Sequence, residues 1–243
     1  MKCIILAGGF AKRLWPLTLN KSKPLLEVSG KPIINYIMEK IDTIDVIDEI
    51  FVSTNAKFEP AFNEWFEKYK FKKPIKLVIE PTKSEEEKLG AIAGINFVLE
   101  NEKIDEECLI IAGDNLFSFE ISDIIDFYRE KNAPVIAFFD VNNKEKAKLY
   151  GIAKIDQNNK IIDFIEKPED PPSTLASTVC YIFPQAVLSL FSKYLKVSKK
   201  RDAPGFFLQW LHKKHDVYAF VFSGYWFDIG SFESLEEARK FMQ

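Results

Sequence analysis

The sequence predicts an α/β protein built on a mixed, mostly parallel sheet, and three observations lead to this fold class. Short apolar segments rich in Ile, Val and Phe alternate with longer amphipathic segments through residues 1–149. After residue 150 the pattern changes to a hairpin, a proline-rich loop and further strands. A chain of 243 residues that is 47% hydrophobic and 14% aromatic can also bury a sizeable core without disulfides or metals.

The first half supplies five predicted strands and four predicted helices. The strands are the apolar segments CIILA, EIFVST, IKLVIE, ECLIIAG and APVIAFFD. The helices are the amphipathic segments 32–41, 58–69, 89–99 and 121–131. Ser84 followed by three glutamates, 85–87, is typical of a helix N-cap with an acidic first turn, so we expect it to begin the third helix.

The second half is expected to lie beside the first and to complete the same domain. GIAKID, the turn Asn158-Asn159 and KIIDFIE predict a β-hairpin, and EKPEDPP separates it from the strand STVCYIF. Helices at about 204–213 and 231–242 flank the strand VYAFVF. No repeat or linker divides the chain, so we expect one domain over 1–243, with halves 1–149 and 150–243.

Composition argues against several classes of partner. The 33 Lys and Arg residues against 36 Asp and Glu residues give a net charge of −3, which provides no general attraction for nucleic acid or a membrane surface. The N-terminal apolar stretch is too short for a signal peptide, and no segment approaches the roughly 18 apolar residues of a membrane span, so a cytoplasmic protein is expected. We expect the three cysteines, Cys3, Cys108 and Cys180, to be buried thiols. We expect no metal site at His212 and His215, because the sequence offers no third ligand nearby.

Polar and glycine residues follow the predicted strands at the edge where ligands bind in open α/β sheets. Turn and cap chemistry explains each group when it is taken alone, but their repeated placement favours a functional site. The groups are GGFAKR and Lys23 after CIILA, Asp114 and Asn115 after CLIIAG, Glu166 and Lys167 after IIDFI, and Asp228 after VYAFVFSGYWF.

The loop GGFAKR narrows the chemistry of this site. It lacks the P-loop and dinucleotide-binding patterns, yet its glycines let the backbone approach a ligand and Arg13 offers a planar fork suited to phosphate oxygens. Asp114 and Asp228 suit Mg²⁺, which binds carboxylates, waters and substrate phosphates. Phosphate, Mg²⁺ and cations together indicate phosphoryl or nucleotidyl transfer.

The segment LAGGFAKRLWPLTLNKSKPLL resembles the signature L-A-G-G-x-G-T-R-L-x-P-L-T-x-x-x-P-K-P-L of the sugar-1-phosphate nucleotidyltransferases. AGDN at 112–115, YG at 150–151, IEKP at 165–168 and GYWFDIGS at 224–231 follow in the family's order. The resemblance implies a three-layer, Rossmann-like nucleotidyltransferase fold. It also implies Mg²⁺-dependent transfer of a nucleoside monophosphate from a nucleoside triphosphate to a hexose 1-phosphate, with release of pyrophosphate.

The resemblance further implies roles for individual residues. The expected catalytic residues are the cations Arg13, Lys23 and Lys167. The expected metal ligands are Asp114 and Asp228. The expected nucleotide-binding residues are Leu6, Ala7, Gly8, Gly9, Glu80, Gly90 and Asp114. The expected sugar-phosphate-binding residues are Tyr150, Gly151, Glu166 and Lys167.

The chain departs from the family pattern at several positions. Ala11 replaces the usual second glycine of the loop, Lys12 the threonine before Arg13, and Ser22 the proline before Lys23. We expect Lys12 to point to solvent. KLGAIAGI differs from the common L-G-T-A-G-A, and Val179 stands where glycine is common, so the identities of base and sugar stay open.

Glucose 1-phosphate with dTTP or UTP is the expected substrate pair, as in glucose-1-phosphate thymidylyltransferases and UDP-glucose pyrophosphorylases. The alternatives are GTP with mannose 1-phosphate, CTP with a phosphorylated alcohol or amine, and a non-catalytic regulatory protein that binds a nucleotide sugar. The sequence ends shortly after the Asp228 motif, so we expect a stand-alone transferase without the β-helix or acyltransferase domain of longer relatives. The oligomeric state is left open, a homo-oligomer included.

Overall fold

A computed structural model describes the whole chain, residues 1–243. The strands are β1 (Lys2–Leu6), β2 (Glu27–Val28), β3 (Lys31–Pro32), β4 (Glu49–Asn55), β5 (Ile75–Glu80), β6 (Cys108–Ala112), β7 (Asn115–Phe117), β8 (Val135–Asp140), β9 (Gly151–Ile155), β10 (Ile161–Glu166), β11 (Leu175–Phe183), β12 (Tyr218–Phe222) and β13 (Trp226–Asp228). The helices are α1 (Ile33–Asp42), α2 (Glu59–Lys68), α3 (Ala91–Asn101), α4 (Ile121–Lys131), α5 (Lys144–Ala147), α6 (Gln185–Val197), α7 (Gly205–Leu211) and α8 (Phe232–Phe241). None of these helices has the length and apolar character that crossing a membrane requires.

Nine strands form one mixed sheet. Its main path runs β10-β9-β11-β6-β1-β4-β5, and β8 joins β11 to β12. Strands β6, β1, β4 and β5 pair in parallel, as do β8 and β12, so six of the nine strands have a parallel neighbour. Strands β11, β9 and β10 pair with their neighbours antiparallel. The predicted α/β class with a mixed, mostly parallel sheet is confirmed.

The alternation of side chains along β1 shows how the three layers arise. Cys3 and Ile5 are fully buried on one face of the sheet, in a core that α1, α2 and α4 complete. Ile4 is fully buried on the other face, against α3, α6 and α7. Cys108 and Cys180 are also buried and free, as the sequence predicts for all three cysteines.

A third, smaller core fastens the C-terminal helix to the loop that follows β1. Leu235 and Ala238 of α8 pack with Leu14, Leu26 and Ile229, and all five side chains are buried. Ser231 caps α8 by accepting a hydrogen bond from the Ser234 N–H at 3.3 Å. This core holds the Asp228 segment beside the glycine-rich loop.

Most predicted elements begin and end within about two residues of those in the structure. The patterns do not predict helices α5 and α6 or the short strands β2, β3, β7 and β13. The prediction that Ser84 begins the third helix is wrong, because Glu85–Glu87 form a separate 3-10 turn that receives no side-chain cap from Ser84. Gly90, at φ +83°, separates this turn from α3. The carbonyl oxygens of Asp202 and Arg201 accept hydrogen bonds from the first two N–H groups of α3 instead.

Candidate active site

Two adjoining cavities open at the carboxyl ends of the parallel strands. The first, about 390 Å³, lies where Leu6, Glu80 and Ala112 end β1, β5 and β6. The second, about 690 Å³, lies between the β9–β10 hairpin and the start of α8. Tyr150 and Asp228 are among the residues that line both cavities, so they mark the boundary between them.

The predicted site residues fall into groups that follow these cavities. Those on the first cavity are Leu6, Gly8, Gly9, Glu80, Gly90 and Asp114. Those on the second are Arg13, Gly151, Glu166 and Lys167, together with the shared Tyr150 and Asp228. Ala7 and Lys23 line a small recess beside Asp114. The residues expected to bind nucleotide and those expected to bind sugar phosphate are therefore on opposite sides of a boundary that holds Asp228.

Strand pairing brings the two predicted metal ligands together. Asp228 lies opposite Asn115 in the antiparallel pair β13–β7, and the Ile229 N–H donates to the Asp114 carbonyl oxygen at 3.3 Å. Burial, and then the neighbouring Asp114, raise the pKa of Asp228, against the opposing effects of Lys23 and other cations. Two carboxylates held this close favour a bound cation.

Asn115 positions this pair of strands, a role that the sequence did not reveal. Its side chain is buried, donates to the Thr178 carbonyl oxygen at 2.5 Å and accepts from Trp226 Nε1 at 3.2 Å. The amide thereby ties β7 to both β11 and β13. The AGDN motif marked the residue, but its partners come from strands far away in the chain.

Three cations near these carboxylates differ in their pairing. The Lys23 ammonium contacts the Asp114 carboxylate. Burial lowers the pKa of Lys23, but the charges of Asp114 and Asp228 outweigh burial and raise it. Arg13 and Lys167 form no salt bridge within the chain, and both line the second cavity. These two cations are therefore free to bind an anion.

In the loop between β1 and β2, the side chains of Arg13 and Lys12 lie in different surroundings. Arg13 lies against the glycine of the FDIGS segment, since a Cβ at Gly230 would be 3.1 Å from Arg13 Nη2. Lys12 lines neither cavity, and its Nζ lies 3.3 Å from Glu86 Oε1 on the surface. The side chain of Lys12 thus points to the outside, as expected, but there it pairs with a carboxylate.

Two departures from the family motif share one backbone feature. Ala11 has φ +47° and Val179 has φ +53°, and both angles lie in the left-handed region that favours glycine. The Thr18 hydroxyl donates to the Ala11 carbonyl oxygen at 2.9 Å and supports the turn. Both positions therefore have a backbone conformation that favours glycine, the residue of the common motif, although each carries a side chain here.

Glu166 occupies a space that two glycines leave open. A Cβ at Gly205 would overlap Glu166 Oε2, and a Cβ at Gly151 would lie 2.7 Å from the same oxygen. Burial raises the pKa of Glu166 to about 7, against the nearby charge of Lys167. This carboxyl group can accept hydrogen bonds from the hydroxyls of a ligand in the second cavity. Gly205 comes from a distant part of the chain, and no local sequence signal points to it.

Glu80 occupies a similar space in the first cavity. Its side chain is 7% exposed, and Ser53 Oγ donates to Oε1 at 3.0 Å. A Cβ at Gly8 would lie 2.9 Å from Oε1, and one at Gly94 2.8 Å, so both glycines make room for the carboxylate. Burial raises the pKa of Glu80, although the Ser53 hydrogen bond lowers it.

The donor set at the boundary fits Mg²⁺. Asp114 and Asp228 supply hard carboxylate oxygens, which Mg²⁺ prefers. The chain contains no cluster of three or more His, Cys, Asp or Glu side chains that could hold a metal, the segment around His212 and His215 included. A bound Mg²⁺ would therefore complete its shell with water and substrate phosphate oxygens.

Comparison with known families assigns the chain. A family model described as nucleotidyl transferase matches residues 2–243. The chain belongs to this nucleotidyl transferase family. The resemblance inferred from the glycine-rich loop and the four later motifs is thereby confirmed.

The curated relatives of the chain have differing specificities. The bifunctional protein GlmU of Methanocaldococcus jannaschii is 31% identical over 249 residues, which cover 100% of this chain and 54% of GlmU. The mannose-1-phosphate guanylyltransferase of Mycobacterium tuberculosis is 28% identical over 232 residues, covering 94% of this chain and 60% of that protein. The chain thus spans little more than half the length of these relatives.

Solved structures of two other proteins share the fold. A Bacillus anthracis protein assigned as a glucose-1-phosphate thymidylyltransferase, solved with sucrose, has a TM-score of 0.85 at 27% identity, covering 99% of this chain and 94% of that chain. A UDP-glucose pyrophosphorylase solved with UDP-glucose has a TM-score of 0.84 at 22% identity, covering 99% and 97%. At that identity the second likeness concerns the fold alone.

Proposed function

We propose that this protein moves a nucleoside monophosphate from a nucleoside triphosphate to a hexose 1-phosphate, in the presence of Mg²⁺, and releases pyrophosphate. The observation that carries the proposal is the convergence of Arg13, Lys23 and Lys167 with Asp114 and Asp228 around the boundary of two cavities. The first cavity suits the nucleotide, and the second suits the sugar phosphate.

The charges account for the chemistry that such a transfer needs. A phosphate oxygen of the sugar phosphate attacks the α-phosphorus, and the bond from that phosphorus to the bridging oxygen of pyrophosphate breaks. The attacking oxygen is already ionised, so no general base is required. The obstacle is repulsion between two polyanions, about 1 kcal/mol for each pair of charges at 4 Å in water and about 4 kcal/mol at an effective dielectric near 20.

The cations of the site offset this repulsion. Arg13 and Lys167 are free of carboxylate partners and can bind phosphate oxygens, and Lys23 adds a third positive charge beside Asp114. Asp114 and Asp228 would hold Mg²⁺, which neutralises phosphate charge when it is bound. Holding the acceptor phosphate in line with the α-phosphorus supplies the remaining acceleration.

Two substrate pairs follow from different observations. The sequence resemblance favours glucose 1-phosphate with dTTP or UTP, and the assigned activity of the Bacillus anthracis neighbour supports this pair. GTP with mannose 1-phosphate is the second candidate, because the Mycobacterium tuberculosis relative is a mannose-1-phosphate guanylyltransferase. We also propose a cytoplasmic location, since all three cysteines are free thiols, as is usual in a reducing compartment.

Release of pyrophosphate tests the proposal. The assay pairs GTP, UTP, dTTP, CTP and ATP with glucose 1-phosphate, mannose 1-phosphate and a phosphorylated amine, each with and without Mg²⁺. We expect turnover of at least one hexose 1-phosphate pair, and only with the metal. Binding of nucleotide sugars without turnover of any pair would refute the enzyme and favour a regulatory protein.

A further inference from the structure

We infer that Val179 selects the acceptor, and that it restricts the second cavity to hexose 1-phosphates with a small group, a hydroxyl or a hydrogen, on C2. This carbon is the neighbour of C1, which carries the phosphate. The inference rests on the proposed function in one respect, namely that a hexose 1-phosphate enters the second cavity. It narrows the class of acceptor, because glucose 1-phosphate and mannose 1-phosphate meet the condition and 2-acetamido sugars do not.

The backbone of Val179 is strained. Eight residues other than glycine have a positive φ, and Val179, at +53°, is the one with a β-branched side chain. Crowding by its two methyl groups makes this region unfavourable for valine, whereas glycine adopts it freely. Such strain persists only where the surrounding structure fixes it, and it is concentrated at functional sites. A valine kept in this conformation therefore points to a role for its side chain.

Two hydrogen bonds fix the backbone around Val179. Where β11 pairs with β8 the register shifts, and residues 178–180 lie opposite a single residue of β8. This is a β-bulge, a feature that re-aims side chains beside active sites. The Asn115 amide donates to the Thr178 carbonyl oxygen at 2.5 Å, and the Thr178 hydroxyl donates to the Ala137 carbonyl oxygen at 3.2 Å. The bulge is thus tied to β7 and to β8, and Val179 lies at its centre.

The bulge places Val179 at the junction of the two cavities. Val179 lines both of them, as Tyr150, Trp226 and Asp228 also do. It packs against the core that contains α3, α6 and α7, whereas Trp226 packs against the core on the other face of the sheet. The Trp226 and Tyr150 rings are in contact, with centroids 4.9 Å apart. An apolar group from each face of the sheet therefore bounds the passage between the cavities.

The proposed transfer places C2 of the acceptor at this junction. The phosphate on C1 must reach the α-phosphorus beside Asp228, which lines both cavities. The ring atoms nearest to that phosphate are C1, C2 and the ring oxygen, and of these C2 carries the substituent that varies in size among hexose 1-phosphates. Val179 therefore meets the C2 substituent. Glu166, which lines the second cavity but not the first, can bind hydroxyls farther from the phosphate.

Valine at this position discriminates by size and by polarity. Its branched side chain occupies space that a glycine would leave open, and the fixed bulge keeps it from moving aside. An acetamido group on C2 is larger than a hydroxyl, and it carries an amide that the methyl groups of valine cannot hydrogen-bond. Steric exclusion of this kind separates ligands that otherwise make the same contacts. The 2-hydroxy and 2-deoxy sugars avoid the clash.

The test compares matched acceptors and truncated side chains. Pyrophosphate release is measured for glucose 1-phosphate, mannose 1-phosphate and their 2-acetamido counterparts, with the nucleoside triphosphate that gives the highest rate. We expect kcat/KM of the unaltered chain to be about 100-fold higher for the better hexose 1-phosphate than for its 2-acetamido counterpart. In Val179→Gly this ratio should fall at least about tenfold, mainly through a lower KM for the acetamido sugar.

A second pair of variants separates the junction from the rest of the cavity wall. Val179→Ala should lower the same ratio by a smaller factor than Val179→Gly does. Val141→Ala removes the same two methyl groups from the second cavity at a position that does not line the first. It should change the ratio by less than about twofold. An equal fall in both alanine variants would overturn the inference, because truncation anywhere on the wall would then have the same effect.

Titration calorimetry with the same four sugar phosphates and Mg²⁺ provides a readout that requires no turnover. Selective binding of the 2-hydroxy sugars by the unaltered chain, lost in Val179→Gly, supports the inference even if no pyrophosphate is released, a result that would overturn only the proposed transfer. Turnover of a 2-acetamido sugar as fast as its 2-hydroxy counterpart would overturn the inference and leave the proposed function standing. The absence of both binding and turnover for all four would overturn both.

The remaining outcomes concern the glycine variant. An unchanged acceptor ratio in a folded Val179→Gly variant, with a changed KM for the nucleotide, would place this side chain against the ribose and overturn the inference. Urea denaturation shows whether the variant is folded. If it is not, the ratio in the unaltered chain and its change in Val179→Ala decide the question.

Discussion

Replacing Glu166 with glutamine should stabilise the protein at alkaline pH and have little effect on its stability at acid pH. Burial beside Gly151 and Gly205 raises the pKa of Glu166 to about 7, from an ordinary value of 4.5. Between these two values the folded chain holds one proton more at this group than the unfolded chain does. Stability therefore falls as the pH rises through this interval, because folding must then bury a charge.

The interval sets the size of the effect. From 4.5 to about 7, at 1.36 kcal/mol for each pH unit, the cost approaches about 3 kcal/mol. Partial exposure of the carboxyl screens the charge, so we expect about 2 kcal/mol. Glutamine keeps the shape of the side chain without the charge. The free energies of unfolding of variant and wild type should thus be similar at pH 4.5 and differ by about 2 kcal/mol above pH 7.

Urea denaturation at several pH values from 4.5 to 8.5, without substrates, measures this difference. Glu169→Gln is the matched control, because Glu169 is exposed and should alter stability little at any pH. A Glu166→Gln variant that differs from wild type by the same amount across the whole pH range would refute the reasoning. So would a variant that is less stable than wild type at pH 8.5.

Three further predictions concern the phosphate and acceptor sides of the site. Arg13→Ala should lower kcat by about 100-fold in the pyrophosphate assay, while Lys12→Ala should lower it less than about threefold. Equal losses in the two variants would contradict the inference that only Arg13 contacts phosphate. Ala11→Gly should raise the free energy of unfolding by about 1 kcal/mol in urea denaturation, because glycine adopts the left-handed φ of +47° without strain. A lower free energy of unfolding in this variant would argue against strain at Ala11. Gly205→Ala should displace Glu166 and so raise the KM for the sugar phosphate about tenfold, with little change in the KM for the nucleotide. An equal rise in both KM values would contradict the placement of Glu166 on the sugar-phosphate side.

Local patterns predicted the elements of the first half well. The apolar segment CIILA became β1, and the helix predicted over 121–131 is α4, Ile121–Lys131. Such elements depend on side-chain periodicity and on turn residues, which the chain carries locally. The predicted strand ends also point to Arg13, Asp114, Glu166 and Asp228, because ligands in open α/β sheets bind where strands end.

Local patterns failed where distant segments compete with them. Ser84 and the glutamates after it resemble a helix start, but carbonyl oxygens from residues 201 and 202 take that role at Gly90. The sequence could not show this, since the capping groups lie more than a hundred residues away in the chain. A cap that tertiary structure supplies leaves no signature in the helix it serves.

The sequence by itself determined the fold class, the glycine-rich loop with Arg13, and the family to which the chain belongs, because each of these depends on local residue patterns and on their order along the chain. Only the tertiary structure decided which groups share an environment. It paired Lys23 with Asp114, enclosed Glu166 beside Gly205, and left one oxygen of Glu80 without a partner. Burial and charge pairing depend on which strands meet in space, so they emerge only when the sheet has formed.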